Sequence, residues 1–436
     1  MSARSKDLWA GEVPADPTQP DTRDVVIDVV RVLSLAVVVA LHCVYVRLTL
    51  VDGDLVAQTA IGGPVIAALT WVLQVMPLFF VAAGFANTRM VDRCAREGTS
   101  ATSAQALRLR RLLSPLALLV LLLLGVSLML AWVDPAAALT VGAEAGAHLW
   151  FVTAYLLCLA LAPVMVGLQD RWGMRTVAVL VAGALAVDTL RYAGLVDADT
   201  ARFPGFALVW LACHQLGIAY ARGVLRRRPA HQVLGVAVTG ALVLVLMVQT
   251  GPYPSVTIGL ADAPVSNLAP PTAVLAVLAV VQFALVTLAG RAVETRHPPA
   301  VVGATLLWLT PRMVPIYLWH VPVLAGVSLL GLLAPEVLLP DDAATWWLHR
   351  PLWLALAALV LWPVLGAAAA WDRQLSHLPL RTDRIAVVGA SLLGVVGAAV
   401  LWRIGVTPTV GSVSACLAVV LAVTLLVRPD RPTARG

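Results

Sequence analysis

Residues 28–42 read Asp28-Val-Val-Arg31-Val-Leu-Ser-Leu-Ala-Val-Val-Val-Ala-Leu-His42, an apolar run framed by charged residues at one end and a histidine at the other. The run has no period-two alternation, which speaks for helix over strand. A membrane-crossing helix needs ~20 mainly apolar residues, because each residue advances ~1.5 Å through ~30 Å of hydrocarbon. This stretch and its flanks are long enough to cross, and polar residues 1–22 precede it, too many for an ordinary secretory signal peptide. It is expected to be a retained anchor.

The same character recurs along all 436 residues, of which 60% are hydrophobic and 12% charged. That charge content is too low to solvate a soluble chain of this size, and the continuous Leu, Val and Ala runs exclude a barrel. The fold class predicted is all-α, a polytopic membrane protein. Spanning helices are expected near 30–50, 64–86, 112–133, 149–167, 176–193 and 205–221, and again near 232–250, 272–290, 313–334, 352–370, 385–403 and 410–427. That makes twelve, with 300–312 as a short re-entrant or interfacial helix and eleven to thirteen as the range. Residues 1–22 are expected to form a flexible tail, 23–370 the functional membrane domain, 371–427 two additional helices and 428–436 a basic tail.

The net charge of +6 suggests an acidic partner such as nucleic acid only until it is read loop by loop. Residues 87–111 carry Arg89, Arg93, Arg96, Arg108, Arg110 and Arg111, and Arg222, Arg226, Arg227 and Arg228 follow the sixth predicted helix. The alternate loops 134–147 and 251–271 contain neither Lys nor Arg. Cationic loops stay cytoplasmic, which places both termini in the cytoplasm of a cell membrane and leaves no nucleic-acid role for the charge. Arginine outnumbers lysine throughout, Lys6 being the single lysine, as in a GC-rich bacterial genome. The five cysteines show neither a disulfide framework nor a metal-ligand spacing.

Ionisable side chains at bilayer depth cost ~2.5–3.5 kcal/mol each on insertion scales, so they are candidates for function. Arg31 and His42, eleven residues apart, are separated by about three turns and ~16 Å, on one helical face. That geometry suits a donor with an anionic head at the surface and a reactive group on a long arm, as in acyl-coenzyme A. Arg31 would hold phosphate, Asp28 would orient its guanidinium through an i,i+3 pair, and His42 would take a proton from an attacking hydroxyl. The same residues also fit an interfacial salt bridge and a histidine bonded between helices. Tyr317-Leu-Trp319-His320-Val-Pro322 brings a second histidine to similar depth, either to bind or orient an acceptor in a shared cavity or to satisfy backbone groups freed by Pro315 and Pro322. His214 reads as a polar interhelix contact or a site, and Asp188 with Arg191 as an ion pair. Cys43 and Cys213 adjoin histidines but point ~100° away from them, which does not make a thiol nucleophile.

Taken in order, these segments resemble the membrane acyltransferase-3 family. Its first helix carries an arginine or lysine, ten intervening residues and a histidine, matched by Arg31 and His42. Pro77-Leu-Phe79-Phe80-Val-Ala-Ala-Gly84-Phe85, Arg110-Arg111-Leu-Leu-Ser-Pro115, His148-Leu-Trp150-Phe151 and the Tyr317–Pro322 segment follow in the family's order, and the resemblance runs from about residue 23 to 370. It implies an O-acyltransferase moving an acetyl or other short acyl group from cytoplasmic acyl-coenzyme A, a co-substrate and not a bound cofactor, to a hydroxyl on a glycan, lipid or secondary metabolite. His42 would be catalytic. Arg31, Asp28, Arg110 and Arg111 would contact the donor, and His320, Tyr317, Trp150 and His148 would line the acceptor cavity, with no metal. Ala83 stands where many relatives have serine. Two other classes fit a twelve-helix chain, a carrier or flippase and a scaffold. A carrier needs no thioester, and a scaffold tolerates replacement of Arg31 and His42.

Overall fold

The computed structural model describes residues 24–51, 54–294, 300–338, 340 and 342–428. The expected tail 1–22, Pro298–Pro299, and Arg431 and Arg435 of the basic tail lie outside the described residues. In chain order the helices are α1 (Val25–Tyr45), α2 (Pro64–Val72), α3 (Met76–Arg96), α4 (Ala101–Val133), α5 (Pro135–Ala147), α6 (Trp150–Trp172), α7 (Met174–Tyr192) and α8 (Ala198–Ala221). There follow α9 (Ala230–Thr250), α10 (Ala273–Glu294), α11 (Ala300–Leu309), α12 (Met313–Leu330), α13 (Pro335–Leu338), α14 (Ala343–Ser376), α15 (Arg384–Ile404) and α16 (Val410–Leu425). One hairpin, β1 (Val46–Val51) and β2 (Asp54–Thr59), interrupts them, paired antiparallel from Val46↔Thr59 to Val51↔Asp54.

Every predicted span has its helix, and ten helical stretches among the described residues are apolar and long enough to cross a membrane. The count of twelve is not reached on that measure. The fifth predicted span is α7, whose 19 residues include Arg175, Asp188 and Arg191, and the last is α16, with 16 residues. Lipid is the expected neighbour of side chains such as Trp132, Leu242 and Ile385, which are 92%, 65% and 85% exposed.

Three local readings change. The first helix begins and ends about five residues earlier than 30–50, because Asp24 caps its start, accepting from Val26 N and Ile27 N at 3.1 Å each. After Tyr45 the segment Val46-Arg-Leu-Thr-Leu alternates as a strand does. The single span 64–86 is two helices, broken at 73–75 just before Pro77, which seats in the first turn of α3. Residues 135–147, read as loop, form α5, started by Asp134 accepting from Ala136 N and Ala137 N. Its Ala and Gly content hid it from a hydropathy reading. Those small residues let α5 lie against the end of α15, where a Cβ on Gly142 or Gly146 would strike the carbonyls of Val406 and Leu401.

In lipid no water-driven collapse separates apolar helices from their surroundings, so close backbone approach supplies much of the packing. The α3–α8 crossing is built this way. A Cβ on Gly84 would collide with the His214 carbonyl, and one on Gly217 with the Val81 carbonyl. Helix α8 is the most enclosed of the ten spans and packs on α3, α6, α7 and α10. Beyond its C-terminus Arg222 joins three helices, donating to Asp92 on α3 at 2.7 and 3.0 Å and to Asp170 on α6 at the same distances. Partial burial works against its charge, but the two carboxylates outweigh this and push its pKa up. Helices α15 and α16 pack on each other and on α4, α5 and α6, and so are integral to the bundle.

Candidate active site

His42 lies in the last turn of α1, nearer that helix's far end than its middle. His320 lies in the second turn of α12, which packs against α1. Their rings stack with centroids 5.0 Å apart and planes inclined by 22°, and Nδ1 of His42 is 2.7 Å from Nε2 of His320. On the other side of its ring, Nδ1 of His320 is 2.6 Å from the Tyr317 carbonyl and 3.1 Å from that of Ile316.

The proton positions follow from these partners. A carbonyl oxygen only accepts, so Nδ1 of His320 carries a proton and, in the neutral ring, Nε2 is a lone pair. Nδ1 of His42 must then donate to it, which leaves the basic lone pair of His42 on Nε2. The backbone of α12 thereby selects the tautomer of a side chain on α1. Pro322 removes a helical donor from the Leu318 carbonyl, yet His320 bonds to Tyr317 and Ile316. The proline-repair reading therefore does not account for it.

Two further parts of the same cluster come from the turn between α5 and α6 and from α14. Tyr317 donates from its hydroxyl to the His148 carbonyl at 2.9 Å, tying α12 to that turn, and its ring lies 5.5 Å from that of His320. Trp150 stacks on Trp210 at 5.4 Å, and Tyr317 meets Phe151 at 4.2 Å, so the His148–Phe151 segment is fixed by aromatic packing. Arg350 of α14 donates from Nε to the Cys43 carbonyl at 3.0 Å and from Nη2 to the Val46 carbonyl at 3.3 Å. Its guanidinium lies between Trp346 and Trp353, 4.0 and 3.9 Å from their centroids. It satisfies carbonyls left open at the end of α1, one residue past His42, and its positive charge suits that end of the helix dipole. Sequence reasoning passed over Arg350. The tryptophans before and after it at 346, 347 and 353 were the available signal.

The cationic end of the site differs in detail from the expectation. Asp28 and Arg31 meet at 4.0 Å, a loose pair, with the Arg31 side chain 25% exposed. The guanidinium of Arg108 donates to Asn87 Oδ1 at 2.7 Å and to the Ala86 carbonyl at 3.1 Å. Arg110 instead donates to the Leu378 carbonyl at 2.8 Å, tying α4 to the chain after α14, and Arg111 is exposed. Arg108 is thus turned toward α3, while Arg110 of the sequence expectation is turned toward the chain after α14.

Other singled-out residues have structural partners. Nε2 of His214 is 3.0 Å from Asn87 Nδ2, which makes His214 an interhelix acceptor and ends a chain Arg108–Asn87–His214. Asp188 accepts from Ala273 N at 2.7 Å, capping α10, while Arg191 lies over the ring of Tyr192 at 5.0 Å. The expected Asp188–Arg191 pair is replaced by that cap. Ala83 is buried in apolar surroundings. All five cysteines are free and buried. No three His, Cys, Asp or Glu side chains among the described residues converge as a set able to hold a metal ion.

A bundle of apolar, membrane-length helices that encloses a hydrogen-bonded histidine pair defines a multi-pass membrane protein. The chain belongs to the acyltransferase-3 family, whose acyltransferase domain matches residues 24–372, from the cap of α1 to near the end of α14. It is therefore a membrane acyltransferase. Neither the curated proteins nor the solved structures contain a match to it.

Proposed function

We propose that this acyltransferase moves an acetyl or other short acyl group from cytoplasmic acyl-coenzyme A to a hydroxyl of a glycan, lipid or secondary metabolite, with His42 as general base. The observation that carries this reading is the 2.7 Å contact between His42 and His320, together with the backbone carbonyls that hold the His320 proton on Nδ1. They leave Nε2 of His42 ready to accept the hydroxyl proton as the oxygen attacks the thioester carbon. In the reverse sense the same proton goes to the departing thiolate, so no further acid is needed. His320 acts through His42 and is a positioning residue, which narrows the acceptor-binding role expected for it.

Arg31 and Arg108, with Arg93 nearby, are the proposed anchor for the donor's phosphates. Arg108 is held by an amide oxygen and a carbonyl, so its positive charge stays available to an anion. Arg31 and His42 are ~16 Å apart along α1, a distance the donor's arm spans when its phosphates stay at the membrane surface. The arginine-rich connections support a cytoplasmic donor site and a cell-membrane location with both termini inside.

The test is comparative mass spectrometry of envelope lipids, glycans and exported metabolites from cells with wild type, a deletion, or His42→Ala at equal expression. Loss of one acyl increment in both altered strains is expected, and it names acceptor and acyl group together. A molecule that accumulates elsewhere after deletion with no acyl mass lost, and a His42→Ala strain like wild type, would replace catalysis by transport.

A further inference from the structure

His148 differs from His42, His320 and His214. His42, His320 and His214 each have a ring nitrogen in a hydrogen bond, whereas neither ring nitrogen of His148 has a partner although the residue is only 6% exposed. The Ala145 carbonyl, three residues back, lies near the ring but does not meet hydrogen-bond geometry with either nitrogen. A buried polar group left without a partner is destabilising, a cost offset when something bound supplies the partner.

The ring is also held in place. Its backbone carbonyl takes the Tyr317 hydroxyl, and its backbone N–H bonds to Gly146, which is pinned against the Leu401 carbonyl of α15. Tyr317, whose hydroxyl donates to the His148 carbonyl, has its ring 5.5 Å from that of His320, which stacks on His42, so three chain segments bring three histidines together around Tyr317 and α12. Of these, His42 presents a lone pair and His320 has both nitrogens engaged. His148 alone is free to present an N–H.

We infer that His148 is the hydrogen-bond donor that receives the thioester carbonyl oxygen as it becomes an oxyanion. The inference rests on the acyl-transfer reading above. When the acceptor oxygen bonds to the carbonyl carbon, its proton passes to Nε2 of His42 and the carbonyl π pair moves onto oxygen, facing the His148 N–H. Collapse restores the C=O bond and breaks the C–S bond, and the proton on His42 moves to the departing sulfur. A fixed donor aimed at the charge that develops is worth more than one that must turn toward it.

The experiment uses purified full-length protein in detergent or nanodiscs with acetyl-coenzyme A labelled with carbon-13 at the thioester carbonyl, read by infrared difference spectroscopy alongside equilibrium donor binding. Expected is a downshifted carbonyl band on wild type, lost in His148→Leu and retained at least in part in His148→Gln, whose amide still donates. Donor affinity should change little, and turnover in His148→Leu should fall about 100-fold or more. If His148→Leu does not fold, His148→Phe, which preserves the ring shape without an N–H, gives the same reading. A band in the folded Leu or Phe variant identical to wild type, or no shift in wild type at all, overturns the assignment. Full turnover in His42→Ala with the carbonyl shift intact overturns the base reading and leaves this one standing.

Discussion

Nδ1 of His42 and Nε2 of His320 lie 2.7 Å apart across 278 positions of sequence, and the second ring is anchored by its own helix backbone. That order of partners, carbonyl to imidazole to imidazole, makes the two histidines unequal. His42→Ala is expected to lower acyl transfer by about 10³-fold or more, the range of a positioned general base. His320→Ala leaves the base present but its tautomer unselected, for an expected loss of about 10- to 100-fold, with donor KM nearly unchanged. His320→Gln should recover part of the loss, since an amide oxygen also accepts from Nδ1 of His42. Thiol release from acetyl-coenzyme A measures all three, and equal activity of His320→Ala and wild type would refute the relay.

Arg350 holds the end of α1 through two carbonyls while lying between two tryptophans. Removing it leaves the Cys43 and Val46 carbonyls open next to His42. Arg350→Ala should cost about 3 kcal/mol, summed from charged hydrogen bonds and cation–π contact, and should lower turnover as well. Arg350→Lys keeps the charge but not the planar fork and should recover stability only in part. Thermal unfolding in detergent decides it, and a lysine variant equal to wild type would count against the fork.

The proposed donor anchor separates Arg108 from its neighbour two positions on. Arg108→Ala should raise the KM for acyl-coenzyme A by about 10-fold, the loss of one charged phosphate contact, with a similar effect for Arg31→Ala. Arg110→Ala, which breaks a bond to the Leu378 carbonyl, should affect stability and leave donor KM near wild type. Initial-rate kinetics at varied donor concentration distinguish the two, and the reverse ranking would return the anchor to Arg110.

At the α3–α8 crossing a single methyl has nowhere to go. Gly217→Ala places its Cβ against the Val81 carbonyl and Gly84→Ala against the His214 carbonyl, so each must separate the helices or shift both backbones. Either substitution should destabilise by about 3 kcal/mol or more. Gly167→Ala, where an added Cβ meets open space, is the control, and should leave the melting temperature unchanged or slightly raised. Similar melting temperatures for all three would show that the crossing tolerates expansion.

Acid should act on the caps outside the bundle core. Asp383 accepts from Ala386 N at 3.0 Å and from Arg381 Nε at 3.0 Å, and these bonds, the backbone one first, hold its carboxyl below the ordinary range. Because the folded pKa lies below the unfolded one, the unfolded chain takes the proton first. The cap's contribution is complete above the unfolded carboxylate pKa and is lost as pH falls through the lower folded value. Asp383→Asn should therefore flatten the acid limb of the melting curve in that window. Parallel limbs for the two proteins would exclude Asp383 as a contributor.

Much of this architecture was legible because it is local. The runs of Leu, Val and Ala long enough to cross a bilayer specify helices, since lipid offers a backbone no other partner. The eleven-residue spacing of Arg31 and His42 specifies one helical face through the geometry of the helix alone. What the residues around them do was not local. The helix expected to run to 50 stops at Tyr45, where Arg350, some 300 positions away, takes up its last carbonyls and the chain turns into a strand. Helix α5 exists as a packed element because Gly142 and Gly146 meet α15. Arg108 and Arg110 lie only two residues apart on one helix, yet one donates to Asn87 and the other to the Leu378 carbonyl, a difference set only once α3, α4 and α14 are in place. Most of all, His320 was visible as a second histidine of similar depth, but its hydrogen bond to His42 was not. Spacing along one helix follows from backbone hydrogen bonds that repeat every turn, whereas a contact between helices depends on how their side chains and glycines let them pack.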